Sequence, residues 1–69
     1  MLDKSLTFGL RLQVIRKLKN MSQGELAAKI GVEQNQISDY ENDKHTPSLY
    51  TLDLLCKALG VTATKLLGY

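Results

Sequence analysis

Residues 22–41, SQGELAAKIGVEQNQISDYE, hold two short helical patterns hinged at Gly31-Val32. Ser22 followed three residues later by Glu25 has the form of a capping box, in which each side chain satisfies the other residue's free backbone N–H, so a helix opens here. Leu26, Ala27 and Ile30 form its inward face, and Gly31 stops it. The second pattern puts Ile37, Tyr40 and Glu41 on one side. At about 100° per residue, Asn35, Ser38, Asp39 and Asn42 then point the opposite way, with Gln34 at the edge near the N-terminus.

Working outward, Phe8, Leu12 and Ile15 recur at i, i+4 and i+7 with Leu18 beside them, which predicts a first helix. Asn20 suits the left-handed C-cap, and Met21 is the apolar residue that folds back beyond it. After the second pattern, Asn42–Pro47 (NDKHTP) is a loop, with a proline that disfavours helix immediately before it. Ser48 caps a fourth helix whose apolar stripe is Leu52, Leu55, Cys56 and Leu59. Gly60 ends that helix, Val61 packs, and Thr62 caps a last short helix through Leu66 and Leu67. No strand alternation occurs. The predicted helices cover about 7–19, 23–30, 34–41, 49–59 and 63–67, giving a compact all-α five-helix bundle in a single domain over 1–69.

A chain of 69 residues is one domain, burying only about 60% of the surface its unfolded form exposes. With 43% hydrophobic and 23% charged residues its composition is that of a globular protein, not a disordered one. It has no run of about 18 apolar residues and no signal-peptide core, so it reads as soluble and cytoplasmic, with no membrane partner. Cys56 is the only cysteine and His45 the only histidine, which excludes an internal disulfide and a cysteine-rich zinc site. Cys56 reads as a small core residue. No nucleophile–base pair, metal cluster or glycine-rich phosphate loop is present, so an enzyme is not indicated and no metal or cofactor is implied.

The net charge of +2 is small, but it is unevenly spread. Lys4, Arg11, Arg16, Lys17 and Lys19 against Asp3 give residues 1–21 a charge of +4. Lys29 against Glu25, Glu33, Asp39, Glu41 and Asp43 gives residues 22–43 a charge of −4, and residues 44–69 carry +2. Taken alone, such a pattern is ordinary solvated surface.

Two helices joined by a tight glycine-containing turn define a helix-turn-helix, whose second helix lies in the DNA major groove. The stretch LQVIRKLKNMSQGELAAKIGVEQNQISDYEND, residues 12–43, resembles the DNA-binding domain of phage repressors and Cro proteins, the xenobiotic-response-element type. The resemblance extends from Phe8 to Leu67. It includes Arg16, Ser22-Gln23, Glu25-Leu26-Ala27, Gly31-Val32, Ile37-Ser38, Tyr40-Glu41, Pro47-Ser48 and Leu59-Gly60-Val61.

That resemblance implies a sequence-specific double-stranded-DNA-binding transcriptional regulator, a repressor acting as a homodimer, with helix 34–41 in the major groove. Gln34 and Asn35 fall where the family reads bases, and carboxamides suit that task because they bond adenine N6 and N7 together. Gln36, Ser38 and Asp39 are further candidates for base readout. Gln23 resembles the family's phosphate-clamping glutamine, and Asn42, Lys44, Arg11 and Lys17 are the other expected phosphate contacts. Counterparts of Arg16 and Glu41 form an ion pair tying the first helix to the end of the third.

Glu33 falls at an N-cap, where a carboxylate suits the helix dipole but caps poorly. Asp43 replaces a glycine common in the family, so Asn42 or Asp43 is expected to take positive φ. Gly24 lies where a better helix former belongs, at a cost of up to about 1 kcal/mol. Leu66, Leu67 and Tyr69 end the chain with apolar groups that either form a self-complementary dimer patch or fold onto the domain's own core. The alternative to a regulator is an antitoxin of the same fold whose main partner is a toxin protein.

Overall fold

The computed structural model describes residues 6–68. Its elements are α1 (Phe8–Leu18), α2 (Gln23–Ile30), α3 (Gln34–Glu41), α4 (Leu49–Leu59) and α5 (Ala63–Leu67), with no strand among the described residues. The all-α five-helix class expected from the periodicities is the class observed.

Four of the helices start in the same way. A hydroxyl at the N-cap, on Thr7, Ser22, Ser48 or Thr62, accepts from the backbone N–H three residues on, at Leu10, Glu25, Thr51 and Lys65. At α2 the box is reciprocal: the Ser22 N–H donates to Glu25 Oε1 at 2.8 Å while Glu25 N–H donates to Ser22 Oγ at 3.0 Å. The bond from the Ser22 backbone, and then that from its hydroxyl, hold the Glu25 carboxyl below its usual range. Ser22→Ala is expected to destabilise the domain by about 1 kcal/mol, within the 0.5–2 kcal/mol spanned by such caps, read as a lower urea midpoint at unchanged slope.

The helix ends are of two kinds. Gly31 and Gly60 terminate α2 and α4 in the left-handed region, at φ 78° and 69°. α1 and α3 end without glycine, on Asn20 at φ 58° and Asp43 at φ 57°. Behind Asn20 the Met21 N–H reaches the Arg16 carbonyl at 3.2 Å, and behind Asp43 the Lys44 N–H reaches that of Asp39 at 2.9 Å. Both are Schellman closures, which satisfy carbonyls that the helix leaves unpaired. Of the two residues expected to take positive φ, Asp43 does so.

The core is Leu12, Ile15, Leu26, Ala27, Ile37, Tyr40, Leu52, Leu55, Cys56, Leu59 and Leu66, with Phe8, Met21, Ile30 and Val61 packed against it. α3 is seated on α1 and α2, α4 on α2, and α5 on both α1 and α4. Burial pushes the Cys56 thiol above its ordinary value and the Asp53 carboxylate adds to the shift, in keeping with a packing role.

One expectation is corrected here, and of two alternatives for the C-terminus one is selected at Leu66. Leu18, placed on the inward stripe of α1, is 72% exposed, because the Schellman turn folds Met21 onto the core in its stead. Leu66, a candidate for a dimer patch, is fully buried in the domain's own core. Leu67 stands at the surface, and Tyr69 lies outside the described residues.

Candidate nucleic-acid interface

The outward presentation of α3 depends on how its inner side is held. Arg16 of α1 grips Glu41 at the end of α3 through two bonds, Nε to Oε2 at 2.6 Å and Nη2 to Oε1 at 3.1 Å. Both side chains are buried. Fork-to-carboxylate bonding of this kind constrains orientation as well as distance. The remaining Arg16 nitrogen, Nη1, donates to the Met21 carbonyl at 2.7 Å, and Gln23 Nε2 donates to Glu41 Oε1 at 3.0 Å. One buried carboxylate thus joins α1, the first residue of α2 and the last residue of α3.

A second tie was invisible in the periodicities. The Asp43 carboxylate accepts from the Gly9 backbone N–H at 2.9 Å, so the residue that closes α3 also satisfies a free donor in the first turn of α1. Gly9 is buried there, and a Cβ on it would overlap the backbone carbonyl oxygens of Tyr40 and Glu41. The start of α1 rests directly on the end of α3, with the positive end of one helix dipole against the negative end of the other. The signal that could have found it was a glycine at the second position of a helix already capped by Thr7.

The outer face carries the residues expected to read bases. Gln34, Asn35 and Gln36 are exposed, and Ser38 and Asp39 are half-buried. A shallow groove between the first turn of α2 and the start of α3 is lined by Gln23, Glu33, Gln34, Asn35 and Ser38. Within this face the polar groups differ in commitment. Gln36 Oε1 turns back to accept from the Glu33 N–H at 3.3 Å, which supplies one half of a capping box. Ser38 is bonded by Asn42 Nδ2, which donates to its carbonyl at 2.9 Å and to its hydroxyl at 3.3 Å. Asp39 faces His45 at 3.8 Å. The carboxamides of Gln34 and Asn35 make no hydrogen bond among the described residues.

The expected phosphate contacts divide in the same way. Lys17, Asn42 and Lys44 are exposed, and Gln23 is half-buried with one amide N–H given to Glu41. Arg11 is corrected: it is only 3% exposed, and its guanidinium packs on Gly68 at the end of α5, so it cannot meet a DNA backbone without leaving the core. The reason is register, since Arg11 directly precedes Leu12 on the inner side of α1, where its charge is spent within the domain. Among the described residues no group of three or more His, Cys, Asp or Glu could hold a metal ion, and no helix is long and apolar enough to cross a membrane.

Two helices at a three-residue turn, a clamp behind the second and an open amide face in front of it define a helix-turn-helix of the phage-repressor type. Residues 12–66 match the helix-turn-helix family, and the chain belongs to that family. It is 35% identical over 63 residues to the immunity repressor protein of Bacillus phage phi105, covering 91% of this chain and 44% of the phage protein. With control protein C.MunI of Mycoplasma it shares 36% identity over 65 residues, 93% of this chain and 88% of that one. Among solved structures, the P22 c2 repressor in complex with a synthetic operator superposes with a TM-score of 0.86 at 30% identity, covering 91% of this chain and 96% of that one. The chain therefore spans less than half the length of the phi105 relative.

Proposed function

We propose that this protein is a sequence-specific double-stranded-DNA-binding transcriptional regulator, acting as a repressor in the cytoplasm with α3 in the major groove. The observation that carries this reading is the pair of uncommitted carboxamides, Gln34 and Asn35, on the exposed first turn of a helix held from behind by a buried ion pair. Carboxamides are the side chains that pair with adenine through both ring and exocyclic nitrogens, and a rigid support lets that pairing discriminate. Lys17, Lys44, Asn42 and the remaining N–H of Gln23 supply the phosphate contacts, together with the free N–H groups at the helix starts. DNA binding by the repressor of P22, whose fold this chain shares at 30% identity, supports the same reading.

Binding as a homodimer follows from the two-fold logic of such regulators, with half-sites about 34 Å apart. Leu49, at 85% exposure, and Tyr50, at 75%, are, with Leu10, Leu18 and Leu67, the large apolar side chains exposed among the described residues and open to a second copy.

The test is selection of bound duplexes from a random pool at stated salt, with the wild type and with Gln34→Ala/Asn35→Ala. The wild type is expected to enrich paired half-sites and to lose affinity steeply as salt rises. The double variant should lose about 1–3 kcal/mol of discrimination for each base pair read while non-specific binding persists. A uniform loss on every sequence would remove these two residues from readout, and no enrichment by the wild type would remove the function itself.

A further inference from the structure

We propose that Gly24 of α2 is a positioning residue for DNA readout: its missing side chain forms the seat of the Gln34 carboxamide, so base choice at one position is set partly from outside the recognition helix. The inference rests on Gln34 being a base reader.

Gly24 is the second residue of α2, a site where glycine weakens the helix and nothing in the turn requires it. A Cβ built on Gly24 lies 3.6 Å from Gln34 Oε1 and 3.9 Å from Ser22 Oγ, with nothing nearer. The reader's carboxamide therefore leans across the groove onto the bare first turn of α2. Three of the other candidates have a partner that orients them, Glu33 for Gln36, Asn42 for Ser38 and His45 for Asp39, while Asn35, like Gln34, has none. Gln34 has no hydrogen bond, and its carboxamide oxygen stands over the bare backbone at Gly24. A carboxamide reads adenine only with its plane aligned to the base edge, so a change of seat alters what it reads.

A single Cβ at this distance makes ordinary van der Waals contact and displaces nothing. Atoms beyond Cβ would enter the volume that Gln34 occupies.

The experiment is duplex selection with wild type, Gly24→Ala, Gly24→Leu, Gln34→Ala and Gly24→Leu/Gln34→Ala, with melting curves on each. Gly24→Ala should keep the wild-type preference. Gly24→Leu should melt no lower than wild type yet reduce or change the preference by tenfold or more at the one base pair that Gln34→Ala affects, and should add nothing in the Gln34→Ala background. If Gly24→Leu weakens all sequences equally, or alters base pairs regardless of Gln34, the seat is refuted while readout by Gln34 stands. If Gln34→Ala leaves every preference intact, readout by Gln34 fails and the seat with it.

Discussion

Arg16→Met should destabilise the domain by about 3–5 kcal/mol, because it strands the Glu41 carboxylate in a buried position with only Gln23 as a partner. In a chain of 69 residues that is most of the folding free energy, so the variant is expected to be largely unfolded near 37 °C. The pair is not valuable as an isolated attraction, since two desolvated charges gain little net stability. Its weight lies in what it joins: Arg16 also holds the Met21 carbonyl, and Glu41 also takes Gln23. Replacing both charges, as Arg16→Met/Glu41→Met, should therefore recover part of the lost stability but not the DNA affinity, because the apolar pair lacks the fork geometry that orients α3. Urea titration and duplex binding on the single and double variants check this. An unchanged melting temperature and unchanged affinity for Arg16→Met would refute the clamp.

Gly9→Ala should be the next most damaging change. One methyl group there meets the backbone carbonyls of Tyr40 and Glu41, and backbone cannot rotate out of the way as a side chain can. Overpacking typically costs about 1–3 kcal/mol, and a backbone clash belongs at the upper end of that range. Because α1 must lift from the end of α3, the Asp43 bond to Gly9 is lost as well. Asp43→Asn keeps an oxygen acceptor and the tolerance of positive φ, and should cost under about 1 kcal/mol. Denaturant midpoints for Gly9→Ala and Asp43→Asn separate the two contributions. A Gly9→Ala protein as stable as wild type would show that α1 does not rest on α3 in solution.

Legibility in the sequence followed the range of the interaction. Helix starts at Ser22, Ser48 and Thr62 and the stops at Gly31 and Gly60 were readable because a cap acts within three or four residues. The Leu12–Ile15 and Leu52–Leu55–Cys56–Leu59 stripes were readable because a helix repeats every 3.6 residues. Arg11 and Leu18 fall on the wrong side of the expectation, and Leu66 stays open between core and dimer patch, because a one-dimensional pattern says that a residue is charged or apolar, not which neighbour covers it. Arg11 looked like a surface cation and packs against Gly68, while Leu18 looked like core and is displaced by Met21.

By itself, then, the chain determined five helices, their ends, most of the core and the amide-bearing side of α3, since each of these is written in residues a few positions apart. The tertiary structure decided which polar groups remain available: Gln23 joins the Arg16–Glu41 pair that the family resemblance implies, Asp43 takes the Gly9 amide, and Gln34 and Asn35 are left uncommitted. Those partners lie 18 to 34 residues apart, at separations that local periodicity does not encode and only the packing of helix on helix brings within bonding distance.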